Sequence, residues 1–512
     1  MNADLLLCNL AHHGFDNQSI PLELIAIQGN RIAYAGSSDA LADLKGPATR
    51  VLDCQGGLVL PGFNDAHCHP LAFAVSKNYL DCSPLQVAGI EDILSALRKQ
   101  ALVTSQQQWL RGAQIDVSAI AEKRLPTRWE LDGAVPDLPV LLVERSGQQC
   151  ALNSLALTRC GIDDAVTDAE NERIERDPCS GKPSGIVSGN SARIARALPP
   201  LTDDQVEAGL RQANQEFLAL GITSLQDTSW SNTHHHWESW QVFKQRGLLT
   251  PRLTMMAGYD SLTEFSDRGL RTGSGDVQLR LGAMKIALDE SRGSHMPAQA
   301  DLNYAALEAH LAGFQLAFHV PDVELLQMSL RALAFVRSTS VKECSRPRFE
   351  HCPVCPPALL PAVAESRAIV VSQPNLLHQT GPEYLEQVTA EQLKWVYPYR
   401  SFFNHGIRLA FSSDCPLTSC APFPAMQTAT TRRVAQGMRL PANEQLTLAE
   451  ALDLYTAAGA YAAGEDHEKG SLSIGQLADL VVVHGSGRIT PEYFAEAQVV
   501  MTLIDGQLVW VK

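Results

Sequence analysis

Residues 62–70 read GFNDAHCHP and place His67 and His69 on either side of Cys68, directly after the apolar run at 57–60. In an extended segment the side chains at i and i+2 project from the same side of the chain, because successive residues alternate between the two faces of a strand. The two imidazoles therefore have the geometry of half a metal site. Two histidines at this spacing also occur near turns by chance, so the rest of the chain decides between these interpretations.

Helical and strand patterns alternate between about residues 61 and 465. An amphipathic segment at 205–221 ends on Gly221 and leads directly into ITSLQD at 222–227, which predicts a helix followed by a strand. The same order recurs at 305–320, 357–374 and 399–416. Its repetition predicts an α/β fold with a parallel sheet, either closed into a barrel or doubly wound.

Both ends of the chain are rich in short strands and turns. Gly29-Asn30 and Asp505-Gly506 each separate two apolar runs and predict hairpin turns. Because sheet edges need partners, we expect one composite β-sandwich domain from 1–60 plus 468–512, although two unrelated β segments would give the same pattern. The barrel domain then spans 61–467, with an insertion within about 80–215.

The composition is ordinary for a globular enzyme, with 45% hydrophobic and 19% charged residues among 512. The formal net charge of −15, without a basic patch, argues against nucleic-acid and anionic-membrane partners and leaves a small-molecule substrate. We expect no secretory signal and no membrane span, and we interpret the twelve scattered cysteines as reduced thiols of a cytoplasmic protein. The sequence does not decide whether the protein forms a homo-oligomer.

Ionisable residues close several of the apolar strands. In three of them one face is bulky and apolar, while the other is small or polar and ends in Lys285, His319 or Asp414. His351 occupies a similar place, shortly before the proline that stops its strand. The carboxyl ends of the strands are where sites form in α/β folds.

Each of these residues alone is a weak indication, because a single lysine or aspartate at a strand end is most often solvated or hydrogen-bonded. Together with His67 and His69 they give four imidazoles, one carboxylate and one lysine in a single chain order. Imidazole and carboxylate are ligands that Zn²⁺ prefers. The combination therefore predicts a divalent-metal site, with Zn²⁺ as the expected ion.

With these residues in view, the sequence resembles the amidohydrolase superfamily, and within it the amidohydrolase family 3 branch of N-substituted formamide deformylase-like enzymes. The resemblance covers nearly the whole chain. The segments similar to the family's metal motifs are GGLVLPGFNDAHCHP (56–70), GAMKIALDES (282–291), FHV (318–320), EHCP (350–353) and RLAFSSDCPL (408–417).

The resemblance implies a (β/α)8 TIM-like barrel that binds one or two divalent ions. The residues that it assigns to the metal are His67, His69, Lys285, His319, His351 and Asp414. It also implies that Lys285 reacts with CO2 to give a carbamate that bridges two ions. The alternative is an unmodified Lys285 beside a single ion, and the residues leave both versions open.

The implied reaction is hydrolysis of a C–N bond, other than a peptide bond, in a small amide, N-acyl or N-formyl compound. A metal-bound water loses its proton near neutral pH and supplies the nucleophile. We expect Asp414 to accept that proton and later to pass it to the leaving amine. His351 is predicted to help polarise the carbonyl.

Three segments depart from the family pattern where loops are expected to contact the substrate. Gln148 stands near a position that is often histidine, 289–291 reads Asp-Glu-Ser instead of Asp-Gly-Ser, and 320–322 reads Val-Pro-Asp. These differences bear on specificity more than on catalysis. A glutamine can donate a hydrogen bond but cannot shuttle protons, so we predict Arg145, Gln148 and Gln373 as substrate contacts.

Two other functions compete with the amidohydrolase prediction. The first is deamination of a heterocycle on the same barrel, against which Lys285 argues, because deaminase branches usually lack the bridging lysine. The second is a catalytically inactive regulatory homologue. All six metal positions are filled, and this argues against an inactive protein.

Overall fold

The computed structural model describes residues 2–11, 22–84, 86–105, 108–145, 147–169, 172–189, 191–288, 297–389, 391–434, 438–485 and 493–512. The departure at 289–291 lies outside these residues. The chain forms two compact units, one made of Met1–Pro70 with Ala213–Lys512 and the other of Leu71–Gln212.

The strands and helices follow the alternating order that the sequence predicts. In chain order the strands are β1 Leu5–Leu10, β2 Leu24–Gln28, β3 Arg31–Gly36, β4 Arg50–Pro61, β5 Phe63–Cys68, β6 Leu80–Asp81, β7 Leu110–Ile115, β8 Val140–Glu144, β9 Gln149–Leu152, β10 Glu172–Arg176, β11 Pro183–Gly189, β12 Ile222–Asp227, β13 Arg252–Gly258, β14 Leu279–Ile286, β15 Leu316–Val320, β16 Arg348–His351, β17 Ile369–Ser372, β18 Arg408–Phe411, β19 Leu480–His484, β20 Gln498–Ile504 and β21 Gln507–Val511. The α-helices are Leu41–Leu44, Pro70–Ser76, Ile90–Ala101, Arg128–Ala134, Ser154–Arg159, Ala192–Ala197, Asp203–Ala219, His234–Gln245, Leu262–Ser266, Gln299–Leu311, Val323–Thr339, Leu360–Glu365, Pro374–Gln387, Tyr399–Asn404, Pro422–Thr431, Leu448–Leu454, Ala457–Ala463 and Tyr493–Glu496.

Eight parallel strands form the barrel, in the sheet order β18-β17-β16-β15-β14-β13-β12-β5. The two ends of this order meet where the backbone N–H of Asp414 donates to the carbonyl of His67 at 2.7 Å. The predicted TIM-like fold is thereby confirmed. The predicted helix before β12 is confirmed as well. It ends at Ala219, and Gly221 follows in the turn with a φ of +75°, in the left-handed region that glycine adopts without strain.

A helix closes the amino-terminal end of the barrel. The guanidinium groups of Arg346 and Arg408, at the starts of two barrel strands, lie 3.9 and 4.1 Å from the centre of the Tyr461 ring. Gln315, directly before β15, donates to the carbonyl of Ala462 at 3.0 Å. The helix Ala457–Ala463 therefore packs against the strand starts, and the opposite, carboxyl-terminal end of the barrel carries the predicted site residues.

A seven-stranded sheet joins both ends of the chain, in the order β21-β20-β19-β4-β1-β2-β3. Within it β4 pairs with β1 in parallel and with β19 in antiparallel orientation. The predicted hairpins at Gly29-Asn30 and Asp505-Gly506 are confirmed. The idea of two unrelated β segments is therefore wrong, while the limits 1–60 and 468–512 as a domain stay a prediction.

The unit Leu71–Gln212 has a sheet and a core of its own. Its strand order is β10-β11-β9-β8-β7-β6, with parallel pairing among β6, β7 and β8 and antiparallel pairing among the others. Helix residues Ile93 and Leu97 pack with Leu131 and Leu142 in a buried cluster. The limits of the predicted insertion stay a prediction.

Two findings concern the thiols and the helices. All twelve cysteines lie in the described part of the chain, and each is a free thiol. Among the described helices we find none with both the length and the apolar character needed to cross a bilayer.

Candidate active site

Three predicted metal residues converge at the carboxyl-terminal end of the barrel. His67, His69 and Asp414 each offer one ligand atom, and these atoms all lie within 4.8 Å of one another. The Nε2 atoms of His69 and His67 are 3.1 and 3.6 Å from Asp414 Oδ1. His67 lies at this end of the barrel because it is near the end of β5. Asp414 lies beside it because it follows β18, the strand that closes the barrel against β5.

His351 joins this group through an unusual backbone conformation. Its ring centre lies 4.7 Å from that of His67 and 4.9 Å from that of His319. His351 has a φ of +76° and Asp414 a φ of +61°, in the left-handed region that non-glycine residues seldom adopt. Such strained positions cluster at functional sites, where the surrounding structure holds them in place.

Lys285 and His319 belong to the same site. Lys285 is buried near the end of β14, and its charge contributes to lowering the pKa values of His67, His319 and His351. It lines a small cavity at the barrel mouth with Trp230, Tyr259, Asp260, Ala287 and Leu288. The structure therefore brings all six predicted metal residues to one end of the barrel.

Each histidine around Asp414 is held through its Nδ1 atom. His67 Nδ1 lies 2.6 Å from Glu350 Oε2, and His69 Nδ1 lies 2.8 Å from Ser229 Oγ. The Ser229 hydroxyl in turn donates to Asp227 Oδ1 at 2.7 Å. His351 Nδ1 lies 3.0 Å from Gln373 Oε1. Partners of this kind fix the ring orientation and leave Nε2 available, as is usual for histidines that bind metals.

The electrostatics favour neutral imidazoles beside an ionised carboxylate. Burial is the largest cause of the lowered pKa values of His67, His319 and His351, and the charge of Lys285 lowers them further. For His67 and His351 the Asp414 carboxylate acts in the opposite direction without reversing the shift. Burial raises the pKa of Asp414, but the hydrogen bond with His69, followed by interaction with the imidazoles of His67 and His351, outweighs it, so the pKa of Asp414 falls well below its usual value.

His69 differs from the other histidines. Burial lowers its pKa, but the hydrogen bond with Asp414 and the charge of Asp414 outweigh that effect, so the pKa of His69 is raised. It is also the most accessible of the residues around Asp414: its side chain is 26% exposed, against 1% for His67 and 7% for Asp414. Access to the site is therefore from the side of His69.

The donor set fits a divalent cation of the Zn²⁺ type. Two imidazole nitrogens and a carboxylate oxygen that point at one place are ligands of this ion, and the imidazoles must be neutral to bind it. The lowered pKa values of His67 and Asp414 give both groups the protonation state that binding requires.

Comparisons with known proteins agree with this geometry. The model of the amidohydrolase family, Amidohydro_3, matches residues 50–510. The chain belongs to the amidohydrolase family. As a member it is a hydrolase that acts on carbon–nitrogen bonds, and the predicted family and enzyme class are thereby confirmed.

Relatives of this amidohydrolase cover nearly its whole length. It is 28% identical to the N-substituted formamide deformylase of Arthrobacter pascens, over 99% of this chain and 98% of that protein. It is 24% identical to the putative amidohydrolase YtcJ of Bacillus subtilis, over 96% of each chain. An uncharacterized metal-dependent hydrolase from Pyrococcus furiosus shares its fold, with a TM-score of 0.71 and 19% identity over 93% of this chain and 98% of that one.

The predicted substrate contacts have varied surroundings. Arg145 pairs with Asp116 at 3.0 Å and Gln148 is exposed, and both belong to the unit Leu71–Gln212. Gln373 is fully buried, and its amide nitrogen donates to Val371 O at 3.1 Å and to Ser412 Oγ at 3.0 Å. Substrate contact by these three residues stays a prediction, and the surroundings of Gln373 favour a role in orienting His351 instead.

Four further residues belong to the site although they were not predicted from the sequence: Glu350, Arg348, Ser229 and Asp227. A signal for the first two is present in β16, where RFEH places Arg348 and Glu350 at i and i+2 of a buried strand. Ser229 and Asp227 lie at the end of β12, the same kind of position as the predicted ligands. They carry no comparable sequence signal, because one polar residue at a strand end is common.

Proposed function

We propose that this amidohydrolase hydrolyses an amide, N-acyl or N-formyl bond of a small molecule with the help of a bound divalent cation, Zn²⁺. The observation that carries the proposal is the convergence of His67, His69 and Asp414 at the barrel end. The likeness to an N-substituted formamide deformylase over nearly the whole chain supports an N-formyl or N-acyl substrate.

In this proposal His67, His69 and Asp414 bind the cation, with His319, His351 and Lys285 available for a second one. When bound, the cation acidifies a water molecule and polarises the substrate carbonyl. For two cations, the neutral Lys285 amine would form an N–C bond with CO2 and release one proton, and the carbamate so formed would supply oxygen ligands. Burial of Lys285, together with the charge of the cations when they are bound, would favour the neutral amine that this step needs.

Asp414 is the proton carrier of the proposed reaction. Its carboxylate is ionised and next to the place where ligand atoms converge, so it takes the proton of the attacking water at an Oδ atom. When the C–N bond breaks, the same oxygen returns the proton to the leaving nitrogen. His351, held at Nδ1 by Gln373, would use its Nε2 edge to polarise the substrate carbonyl.

The test combines metal analysis with hydrolysis assays. Protein stripped with a chelator and reloaded with Zn²⁺, with and without bicarbonate, is assayed on a panel of N-formyl amines, N-acyl amines and cyclic amides, together with aminoheterocycles that report deamination. We expect Asp414→Asn to lose about 10²–10⁴-fold in kcat. The matched control is Asp466→Asn, which removes an aspartate paired with Arg346 at the opposite end of the barrel and should remain active.

Two results would contradict the proposal. One is turnover confined to the aminoheterocycles, which would identify a deaminase. The other is a wild-type protein that retains no divalent metal and gains no turnover on any amide when Zn²⁺ is restored.

A further inference from the structure

The barrel interior beneath the site contains a fully buried ion pair. Arg348 and Glu350 are 1% and 0% exposed, and Arg348 Nε donates to Glu350 Oε1 at 2.7 Å while Nη2 reaches Oε2 at 3.2 Å. Burying an arginine and a glutamate together is costly, and well-packed apolar residues of similar volume often give equal or greater stability. The interiors of such barrels are usually filled with branched apolar side chains. Stability alone therefore does not explain this pair.

The Glu350 carboxylate also contacts the site. Its Oε2 atom lies 2.6 Å from His67 Nδ1, and His67 Nε2, on the other edge of the ring, faces Asp414 Oδ1 at 3.6 Å. A carboxylate oxygen beside an arginine can only accept, so Nδ1 carries the imidazole proton. The lone pair of His67 is then on Nε2, where the ligand atoms converge.

The carboxylate cannot turn away from His67, because Arg348 is itself fixed on three sides. Besides Glu350, the guanidinium donates to Gln226 Oε1 at 2.5 Å and to the carbonyl of Ala66 at 2.7 Å. The amide nitrogen of Gln226 donates in turn to Asn64 Oδ1 at 3.0 Å. The chain of bonds therefore starts and ends on β5, the strand that carries His67.

We propose that Glu350 is a positioning residue that holds His67 in the tautomer and orientation that bind the cation, and that Arg348 holds Glu350. This inference rests on the proposed metal-dependent function. The Nδ1 atoms of His69 and His351 have neutral hydrogen-bond partners, Ser229 and Gln373, and the nearest carboxylate oxygen to His351 Nδ1, on Asp414, is 4.0 Å away. Of these three histidines, His67 is the one whose Nδ1 is hydrogen-bonded to a carboxylate.

Replacing Glu350 with glutamine gives a sharp test, because it keeps the size and changes the donors. Arg348 can only donate, so the oxygen of the new amide turns toward Arg348 and its NH2 group faces His67. Nδ1 of His67 must then accept, and the proton moves to Nε2, the atom that should bind the cation. We expect the Zn²⁺ dissociation constant of Glu350→Gln to rise about 10- to 100-fold.

The affinity is measured by titrating Zn²⁺ into the stripped full-length protein in competition with a chromogenic chelator. The matched control is Glu465→Gln, which changes another buried glutamate, paired with Lys469 at 2.9 Å and Arg280 at 3.5 Å, and should bind Zn²⁺ as the wild type does. Glu350→Asp keeps the carboxylate, so we expect its affinity to lie between those of the wild type and Glu350→Gln.

A second measurement reads the tautomer directly. In stripped protein labelled with 15N-histidine, the His67 signals, assigned with His67→Gln, should report a protonated Nδ1 in the wild type and in Glu350→Asp, and a protonated Nε2 in Glu350→Gln. A merely structural glutamate would leave the tautomer unchanged.

The outcomes separate the two proposals. A wild-type protein that binds no Zn²⁺ contradicts the proposed function. A wild type that binds Zn²⁺, with Glu350→Gln equally tight, overturns only the role of Glu350. If Glu350→Gln does not fold, two other results overturn the role of Glu350. One is a Zn²⁺ affinity of Glu350→Asp equal to that of the wild type, and the other is a wild-type protein in which His67 is protonated at Nε2.

Discussion

Replacing Gln373 with leucine tests whether this residue orients His351 or contacts the substrate. The amide nitrogen of Gln373 is committed to Val371 O and Ser412 Oγ, so its oxygen faces His351 Nδ1 at 3.0 Å and accepts the ring proton. Leucine has a similar volume but no acceptor. The Nδ1–H of a ring that is only 14% exposed then loses its hydrogen-bond partner, which costs about 1–3 kcal/mol.

That free energy sets the size of the expected effect. If the ring of His351 is misaligned in the transition state, 1–3 kcal/mol corresponds to a loss of about 5- to 150-fold in kcat. KM should stay near the wild-type value, because in this structure the amide of Gln373 is occupied by protein groups.

The assay is steady-state kinetics of the Zn²⁺-loaded protein on the best substrate of the amide panel. The matched control is Gln315→Leu, the same substitution at the opposite end of the barrel, where the amide binds Arg346 O and Ala462 O. The control should be less stable but keep its kcat. A raised KM with an unchanged kcat in Gln373→Leu would refute the orienting role and support the substrate contact that the sequence predicts.

Two further predictions concern stability. Gly459→Ala should lower the thermal unfolding midpoint by an amount equivalent to about 1–3 kcal/mol, because the new Cβ would lie 2.9 Å from Asn64 Cβ. The control is Gly133→Ala, at an exposed helix position with open space around it, which should leave the stability unchanged or raise it. Hydrogen bonds from Arg124 and from the start of its own helix lower the pKa of Glu130 from 4.5 to about 2. A lowered carboxyl pKa stabilises the fold above pH 4.5, and this contribution is lost as the pH falls to 2. In urea unfolding series, the free energy of unfolding of the wild type should therefore exceed that of Glu130→Gln by less and less between pH 4.5 and pH 2. A difference in unfolding free energy that stays constant over this range would contradict the prediction.

The sequence predicts the positions of the ligands because parallel strands bring their carboxyl ends to one edge. Lys285, His319 and Asp414 are far apart along the chain, but each closes an apolar strand whose period is visible in the residues. Once the strands pair in chain order around a barrel, these ends must meet. The same reasoning finds the helix before β12, because Gly221 marks its end.

Strand periodicity marks Arg348 and Glu350 as a charged pair on one face of a buried strand, but it does not place Glu350 beside His67. In a regular strand, neighbouring side chains point to opposite faces, so a residue next to the inward-facing His351 should face outward. In the structure both Glu350 and His351 contact His67. Glu350 Oε2 lies 2.6 Å from His67 Nδ1, and the ring centre of His351 lies 4.7 Å from that of His67. The left-handed φ of His351 turns its ring to the same side as Glu350, and the residue types RFEH do not predict that conformation.

Closure of the barrel and assembly of the site depend on the same contacts. The hydrogen bond from Asp414 N–H to His67 O joins the last strand to the first and sets the distance between two ligands. Asp65 strengthens the junction by accepting from the backbone N–H of Ser413 at 2.9 Å, and burial raises the pKa of Asp65 to about 8. Because one junction does both, any change that loosens the fold there also separates His67 from Asp414. A cation held by both residues would therefore stabilise the closed barrel, since a ligand that binds only the native state shifts the folding equilibrium toward it.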